Sequence, residues 1–409
     1  MNTPTLRFKE FSGEWEVKKL GAETTWSSGG TPSKQEESYW DGDIPWISAS
    51  SMRGFKYFDS DLKITNAGLS NGSRLAAKGS LLLLVRGSML FNKIPVGIAT
   101  KDVAFNQDVK SIKAKPSINN EFLLYWFFAS ENKLLNMVSG TGIGAGKLDT
   151  QDLLAMDLSV PTLPEQTKIA NFLTAIDEKI AQLSQTAQLL TDYKKGVMQQ
   201  IFSQQLRFKD DDGREFAEWE VKTIEQIADV KGGKRLAKGY SLQNENNGIP
   251  YITVSDMYQG GVDIENIKYV PHEIAESIKN YKIRVNDIFI SVAGTLGIVG
   301  IVPSELDNAN LTENANKLTN LKCNQQYLLQ YLMSDRLEKL IDSVKTTSAQ
   351  PKLAIYALNG FEISLPSSLK EQTKIANFLT AIDDKINNNQ TQLDAMKQYK
   401  AGLLQQMFV

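Results

Sequence analysis

Few side chains in this sequence are equipped for bond-making chemistry. Its 409 residues include one histidine and one cysteine. A lone His272, directly after Pro271, cannot build a histidine-based triad or a histidine-rich metal site, and it reads as a surface residue. Cys323 sits in the polar run Lys322-Cys323-Asn324 with no histidine near in sequence to draw off its proton, so it reads as structural. A single thiol also excludes an internal disulfide and any multi-cysteine metal site. The carboxylates show no pairing that marks an acid and a base. The run SGTGIGAGK (residues 139–147) invites a phosphate-loop reading, because Gly140, Gly142 and Ala145 loosely match a dinucleotide fingerprint. That motif needs a strand before it, whereas a helix is predicted over 122–137. The Walker spacing fails as well: Thr141 stands where glycine is required and Leu148 where serine or threonine is required. A flexible surface loop is the better reading. Its counterpart at 346–353, TTSAQPKL, has no glycine, yet both end in Lys-Leu (Lys147-Leu148 and Lys352-Leu353). A loop that varies while its anchor persists suits a contact surface.

The other polar clusters are suited to binding. Lysine, arginine, serine and threonine can meet phosphates or base edges, and glycine lets a backbone approach closely. Such residues recur at matching places in the two halves. The first half has Gly29-Gly30-Thr31-Pro32-Ser33-Lys34, then residues 48–53, then Arg86-Gly87-Ser88. The second has Gly232-Gly233-Lys234-Arg235, then residues 253–256, then Ala293-Gly294-Thr295. The charge balance is modest, at −2 overall. Residues 1–164 carry 18 basic and 17 acidic side chains, and residues 206–369 carry 18 and 22, which argues against a charge-driven nucleic-acid binder acting alone. Any DNA contact is therefore expected to be local or shared with a more basic partner.

The elements that must position these loops are duplicated. EQTKIANFLTAIDEKI (165–180) recurs as EQTKIANFLTAIDDKI (371–386), differing only at Glu178 versus Asp384. DYKKGVMQQIF (192–202) matches QYKAGLLQQMF (398–408), LRFK at 6–9 matches LRFK at 206–209, and IPWISASSM (44–52) matches IPYITVSDM (249–257). Between these islands the halves diverge, so the chain reads as variable domain, helix, variable domain, helix. Joining the chain ends would recreate the internal junction at 199–209. The halves are therefore expected to face each other across a pseudo-two-fold axis.

From Ile169 apolar positions step by four and three through Leu173, Ile176, Ile180, Leu183, Ala187, Leu190, Val197 and Ile201, with Lys194 inside the series. The second copy repeats the heptad seam with Asn389 in place of Leu183 and Lys400 in place of Lys194. Polar seam residues fix register. Two helices of about 38 residues, each ~57 Å long, packed antiparallel, would form a stiff rod with a globular domain at each end. The variable domains read as mixed α/β. Strands are expected at 44–48, 80–85, 96–99 and 158–160, and again at 249–254, 287–292, 298–302 and 361–365; helices are expected at 122–129 and 327–336. No signal peptide is visible, and the most apolar run, 81–85, is stopped by Arg86 far short of the ~20 residues a membrane span needs. The chain reads as cytoplasmic with no membrane contact.

The glycine-bounded blocks at 29–46 and 232–257, the two EQTKIANFLTAID copies, the YK-x-G helix ends and the LRFK linkers together resemble the specificity subunit of type I DNA restriction-modification systems. The likeness covers essentially the whole chain. It implies an α/β (mixed α+β) fold with two globular target-recognition domains, 1–163 and 206–368, joined by two long antiparallel coiled-coil helices. The spacer helix segments are 164–205 and 369–409, in a pseudo-two-fold circular arrangement. It implies that each domain reads one half of a bipartite, asymmetric double-stranded DNA site. The helices then set the spacing and dock two modification (adenine methyltransferase) subunits. Restriction (nuclease-translocase) subunits complete the complex. The subunit itself is non-catalytic, with no metal and no cofactor of its own; S-adenosylmethionine, ATP and Mg are expected on the partner subunits.

By position, DNA contact is expected at Thr31, Ser33, Lys34, Ser48, Ser50, Arg53, Arg86 and Lys147 in the first domain. In the second it is expected at Lys234, Arg235, Lys238, Thr253, Ser255, Thr295 and Lys352. Partner docking is expected on the outward helix faces, at Gln166, Lys168, Asn171 and Phe172 and at Gln372, Lys374, Asn377 and Phe378. The competing reading is a duplicated coiled-coil scaffold that binds only protein. An enzyme is the weakest reading, because no acid, base, nucleophile or ligand constellation is visible.

Overall fold

In the computed structural model the repeated phrase forms two uninterrupted helices, Leu163–Phe202 and Leu369–Met407, of 40 and 39 residues. At 1.5 Å per residue each is about 60 Å long. The structure describes residues 2–142, 144–344 and 352–409. These divide into two compact units. The first comprises Met1–Ser184 and Thr391–Val409, the second Gln185–Gln390, so each long helix contributes to both.

The heptad reading holds along both helices. Ile169, Leu173, Ile176, Leu183, Val197 and Ile201 are buried, as are Ile375, Leu379, Ile382, Asn389, Leu393, Leu403 and Met407. Within the first unit the helix segments run antiparallel: Lys400 meets Asp177 at 2.6 Å, while Phe408, two turns on, reaches Trp15 beside Glu165. The second unit repeats this with Lys194 on Asp383 at 2.6 Å and Phe202 against Tyr327 and Tyr331. The polar seam lysines are thus paired, each with an aspartate of the other repeat copy.

Each unit carries two corresponding sheets, one of which has five strands in the first unit and four in the second. In the first, one sheet runs Thr24–Ser28, Val109–Ala114, Leu81–Leu84, Val96–Ala99, Lys56–Tyr57, antiparallel except for its last pair. The other runs Lys63–Ile64, Trp40–Ile47, Val103–Phe105, Arg74–Ala76, with its central pair parallel. In the second unit the orders are Asp229–Gly232, Ala315–Thr319, Ile288–Ser291, Val299–Gly300, and Lys268–Tyr269, Pro250–Ile252, Ala309–Leu311, Lys282–Ile283, again with a parallel central pair. The run Leu81–Leu84 is buried on both faces, which is why it reads as continuous leucine rather than as an alternation. The helices Asn120–Ala129 and Gln325–Leu332 are each capped by an asparagine, Asn119 and Asn324, whose side chain accepts the third backbone N–H.

Each linker is clamped to the first turn of its long helix. Arg7 grips buried Glu165 through two 2.7 Å bonds, and the Trp15 indole donates to the same carboxylate at 3.3 Å. Arg207 and Trp219 do the same to buried Glu371 at 3.1–3.4 Å. Leu6 N donates to Gln406 O, and Leu206 N donates to Gln200 O.

One expectation is sharpened. The run read as a flexible surface loop is held at both ends by strand pairing: Ser139–Gly140 pairs with Gly146–Lys147, which pairs in turn with Arg86–Gly87. Gly146 makes this possible, because a side chain there would collide with Val138 and Leu90. Of its counterpart at 346–353, only Lys352 and Leu353 lie within the described residues.

Candidate nucleic-acid interface

Four backbone hydrogen bonds lace five chain segments together in the first unit. Gly30 N donates to Phe105 O (3.0 Å), Asn106 N to Ile47 O (3.0 Å), Val85 N to Asp108 O (2.8 Å) and Leu148 N to Val85 O (2.9 Å). The second unit repeats each one: Lys234 N to Leu311 O (2.8 Å), Thr312 N to Ile252 O (3.1 Å), Val292 N to Asn314 O (2.8 Å) and Leu353 N to Val292 O (3.0 Å). The lacing fixes which residues of the two units are equivalent. Gln107 corresponds to Glu313, Arg86 to Ala293, and Lys147 to Lys352.

Glycine permits the lacing. A Cβ on Gly29 would press into the carbonyl oxygens of Phe105 and Asn106, and one on Gly233 into those of Leu311 and Thr312. The residue after each glycine is anchored by an aromatic donor from the neighbouring strand: Trp46 Nε1 to Gly30 O at 3.0 Å, Tyr251 Oη to Lys234 O at 2.9 Å. Both scaffolds then present one side chain with one partner. Thr31 Oγ1 donates to Gln107 Oε1 at 2.6 Å; Arg235 Nε donates to Glu313 Oε1 at 2.5 Å. Burial pushes the Glu313 carboxyl up, but the bonds it accepts from Arg235, its own backbone and Thr312 outweigh this and hold it below the ordinary value. The same bond raises the Arg235 guanidinium further. Gln107 and Glu313 were missed in the sequence. Lining up FNQD (105–108) with LTEN (311–314) at the repeat offset of 206 would have found them.

The other expected residues surround these pairs. Ser48 and Ser50 hydroxyls lie 3.0 Å apart on a short capped turn, matched by Thr253 and Ser255 at 2.7 Å. Arg86 and Lys147 stand directly opposite on paired strands. Like charges so placed repel, and Lys147 finds only a half-exposed Asp149 at 3.4 Å. Lys34, Arg53 and Arg86 are exposed and make no ion pair among the described residues. In the second unit Lys234 lies over the Tyr281 ring at 5.7 Å, while Lys238, Thr295 and Lys352 are exposed. Ser33 is exposed, its hydroxyl accepting from Gln35 N.

The helix-borne residues divide differently. Gln166 and Gln372 are not on the outward faces. They are buried, and each accepts from the cap of a domain helix (Asn119 N and Asn324 N, both 2.8 Å) while donating to a proline carbonyl, Pro161 or Pro366. Their amides tie domain to helix. Phe172 and Phe378 are half-buried edge-on against Phe8 and Phe208. Asn171, Lys168 and Asn377 are exposed and Lys374 is half-buried, with Lys168 on Glu10 and Lys374 on Asp211.

Fold and site together define a duplicated recognition protein: one scaffold, used twice, offering different side chains. The family described as type I restriction modification DNA specificity domain matches residues 12–191 and 217–398. The chain belongs to this family. The specificity subunit of the type I restriction enzyme MjaIX from Methanocaldococcus jannaschii is 27% identical over 411 residues, covering 96% of this chain and 92% of that protein. The EcoR124I/EcoR124II specificity subunit of Escherichia coli is 30% identical over 174 residues, 42% of this chain and 43% of its own. A crystal structure of the S subunit from M. genitalium has the same fold, with a TM-score of 0.62 at 17% identity over 100% of this chain and 99% of that one. The chain is accordingly a type I specificity subunit with two target-recognition domains, a non-catalytic component that acts on DNA within a restriction-modification complex. No helix among the described residues is long and apolar enough to cross a membrane.

Proposed function

We propose that the two units each read one half of a bipartite, asymmetric site in double-stranded DNA. The domains are 1–163 and 206–368, and the spacer segments 164–205 and 369–409. The long helices set the gap between half-sites and dock two methyltransferase subunits, to which nuclease-translocase subunits add. Adenine methylation then uses S-adenosylmethionine, and translocation uses ATP and Mg, all bound by the partner chains. The setting is the cytoplasm. The observation that carries this reading is the five-segment lacing, which recurs bond for bond while its exposed side chains change in kind. Equal scaffolds with unequal side chains suit two different half-sites.

Contacts to phosphate fall to the cations, and contacts to bases to the residues beside them. Phosphate partners are Lys34, Arg53, Arg86 and Lys147 in the first unit and Lys234, Lys238 and Lys352 in the second. Thr31, Ser33, Ser48, Ser50, Arg235, Thr253, Ser255 and Thr295 face the groove. Docking of the methyltransferase falls to the exposed helix residues Lys168, Asn171 and Asn377 and to half-buried Lys374.

Methylome sequencing of cells co-expressing the chain with its cognate modification subunit tests this. A split, asymmetric motif with one modified adenine in each half is expected. A stable complex that adds no methylation would overturn it.

A further inference from the structure

The two lacings end in one variable pair of side chains, and the pairs differ in the chemistry that distinguishes purines. Around them everything is held constant. Gly29 and Gly233 are packed against carbonyls, Gly30 O and Lys234 O are each fixed by an aromatic donor, and the loop carrying the partner is fixed by two further backbone bonds. We propose that Arg235, held by Glu313, reads a guanine in the half-site of the second unit, and that Gln107, held by Thr31, reads an adenine in the half-site of the first. This rests on the reading of the chain as a DNA specificity subunit and names the base-discriminating residues within it.

The free groups support the assignment. Glu313 takes only Nε of Arg235, whose side chain is 77% exposed; the two terminal nitrogens have no protein partner among the described residues. Those nitrogens form the fork that matches guanine O6 and N7 in the major groove. Glu313 also accepts from Thr312 Oγ1 at 3.2 Å, so the carboxylate is itself braced. Gln107 is exposed, and Thr31 occupies one lone pair of its carbonyl oxygen. The remaining lone pair can accept from adenine N6 while the amide nitrogen donates to N7, the paired contact glutamine makes with adenine. Among the described residues the only other bond of that amide is a long one, 3.4 Å to Asp108. Glu313 and Thr31 are positioning residues here, and Arg235 and Gln107 are the readers.

The test begins with the wild-type motif, determined by methylome sequencing of the complex with its modification subunit. One half must contain a guanine whose identity relaxes in R235A, and the other an adenine whose identity relaxes in Q107A. Purified complexes are then titrated against four duplexes differing only at the base pair concerned. Wild type should prefer the cognate base by roughly ten- to a hundredfold. R235A and Q107A should each flatten that preference at one position and leave the other half-site unchanged. E313Q should weaken it while retaining the order of bases.

A motif with no guanine in the half altered by second-unit variants overturns the assignment. So does an R235A complex that loses affinity equally for all four duplexes, which would make Arg235 a phosphate contact. The duplex titration decides even where R235A leaves no methylation to map. Absence of any split motif from wild type would instead sink the specificity reading itself.

Discussion

The two units share a partly buried lysine–aspartate pair and surround it differently. In the first, Lys400 meets Asp177, Tyr125 Oη donates to the same carboxylate at 2.8 Å, and the ammonium lies 4.9–5.5 Å from the rings of Phe55, Tyr125 and Phe128. In the second, Lys194 meets Asp383 and Gln330 Nε2 donates to it at 2.7 Å, with no ring over the ammonium among the described residues. The backbone equivalences explain the change. Ile98 N donates to Phe55 O just as Ile301 N donates to Gly260 O, so a glycine stands where the first unit has a phenylalanine. Gln330 likewise stands in for Tyr125. The helix half of each cluster is fixed and the domain half is free. Divergence has been confined to the side of the contact that the domains supply, and it stops at any atom the shared helices need.

Removing a lysine should break this likeness most. K400M strands Asp177, only 7% exposed on its side chain, and should cost about 3–5 kcal/mol. K194M strands Asp383, which is 29% exposed and stays partly hydrated, so its loss should be nearer about 2 kcal/mol. Urea denaturation of the purified chain reads both, and equal losses would show that the difference in aspartate exposure does not matter.

Where the units are alike, variants should have equal effects. G29A and G233A drive a methyl group into fixed carbonyls, and each should cost about 1–3 kcal/mol. Each should also disturb methylation specificity in one half-site only. If G233A were silent while G29A was not, the lacing would not be equivalent.

A finer contrast is Y125F against Q330L. Both remove one donor from an aspartate that keeps its lysine, so each should cost on the order of 1 kcal/mol, with Y125F sparing the ring packing. Thermal shifts of both variants measure the difference.

Acid should separate the reading pairs. Glu313 has a folded pKa below its unfolded one, so its bond to Arg235 is present above the ordinary glutamate value and is lost as pH falls through the lowered one. Thr31–Gln107 has no such group. The Arg235 Nε–H resonance should therefore move in wild type only as pH falls below the ordinary glutamate range, and stay still in E313Q. An Arg235 Nε–H signal that moved alike in wild type and E313Q would refute the distinction.

The smallest effect concerns Cys323. Burial pushes its thiol up to about 11, leaving it protonated at pH 8. Alkylation should be slow in the folded chain and fast in denaturant; rapid modification of the native chain would contradict this.

Much of the architecture was legible in the sequence because it depends on local periodicity. Heptad steps located both long helices to within a few residues, and Val96–Ala99 was placed to the residue. Strands with polar content, such as Val109–Ala114 and Ala315–Thr319, were not visible. Their identity comes from partners far along the chain rather than from alternation of their own. The candidate binding residues were chosen by type and repetition; Gln166 and Gln372, expected on the outward faces, are buried, because a glutamine in a helix does not announce which carbonyl will claim it.

By itself, then, the sequence determined the duplication, the seam and the glycines that let backbones meet, since each is written in residue identity: a phrase repeated 206 positions on, apolar steps of three and four, and a residue type without a Cβ. Only the tertiary structure decided which lysine pairs with which aspartate, which loop lies beside which, and that Gln107 and Glu313 answer Thr31 and Arg235. Those facts depend on hydrogen bonds between segments tens to hundreds of residues apart, and such bonds exist only once the sheets have closed.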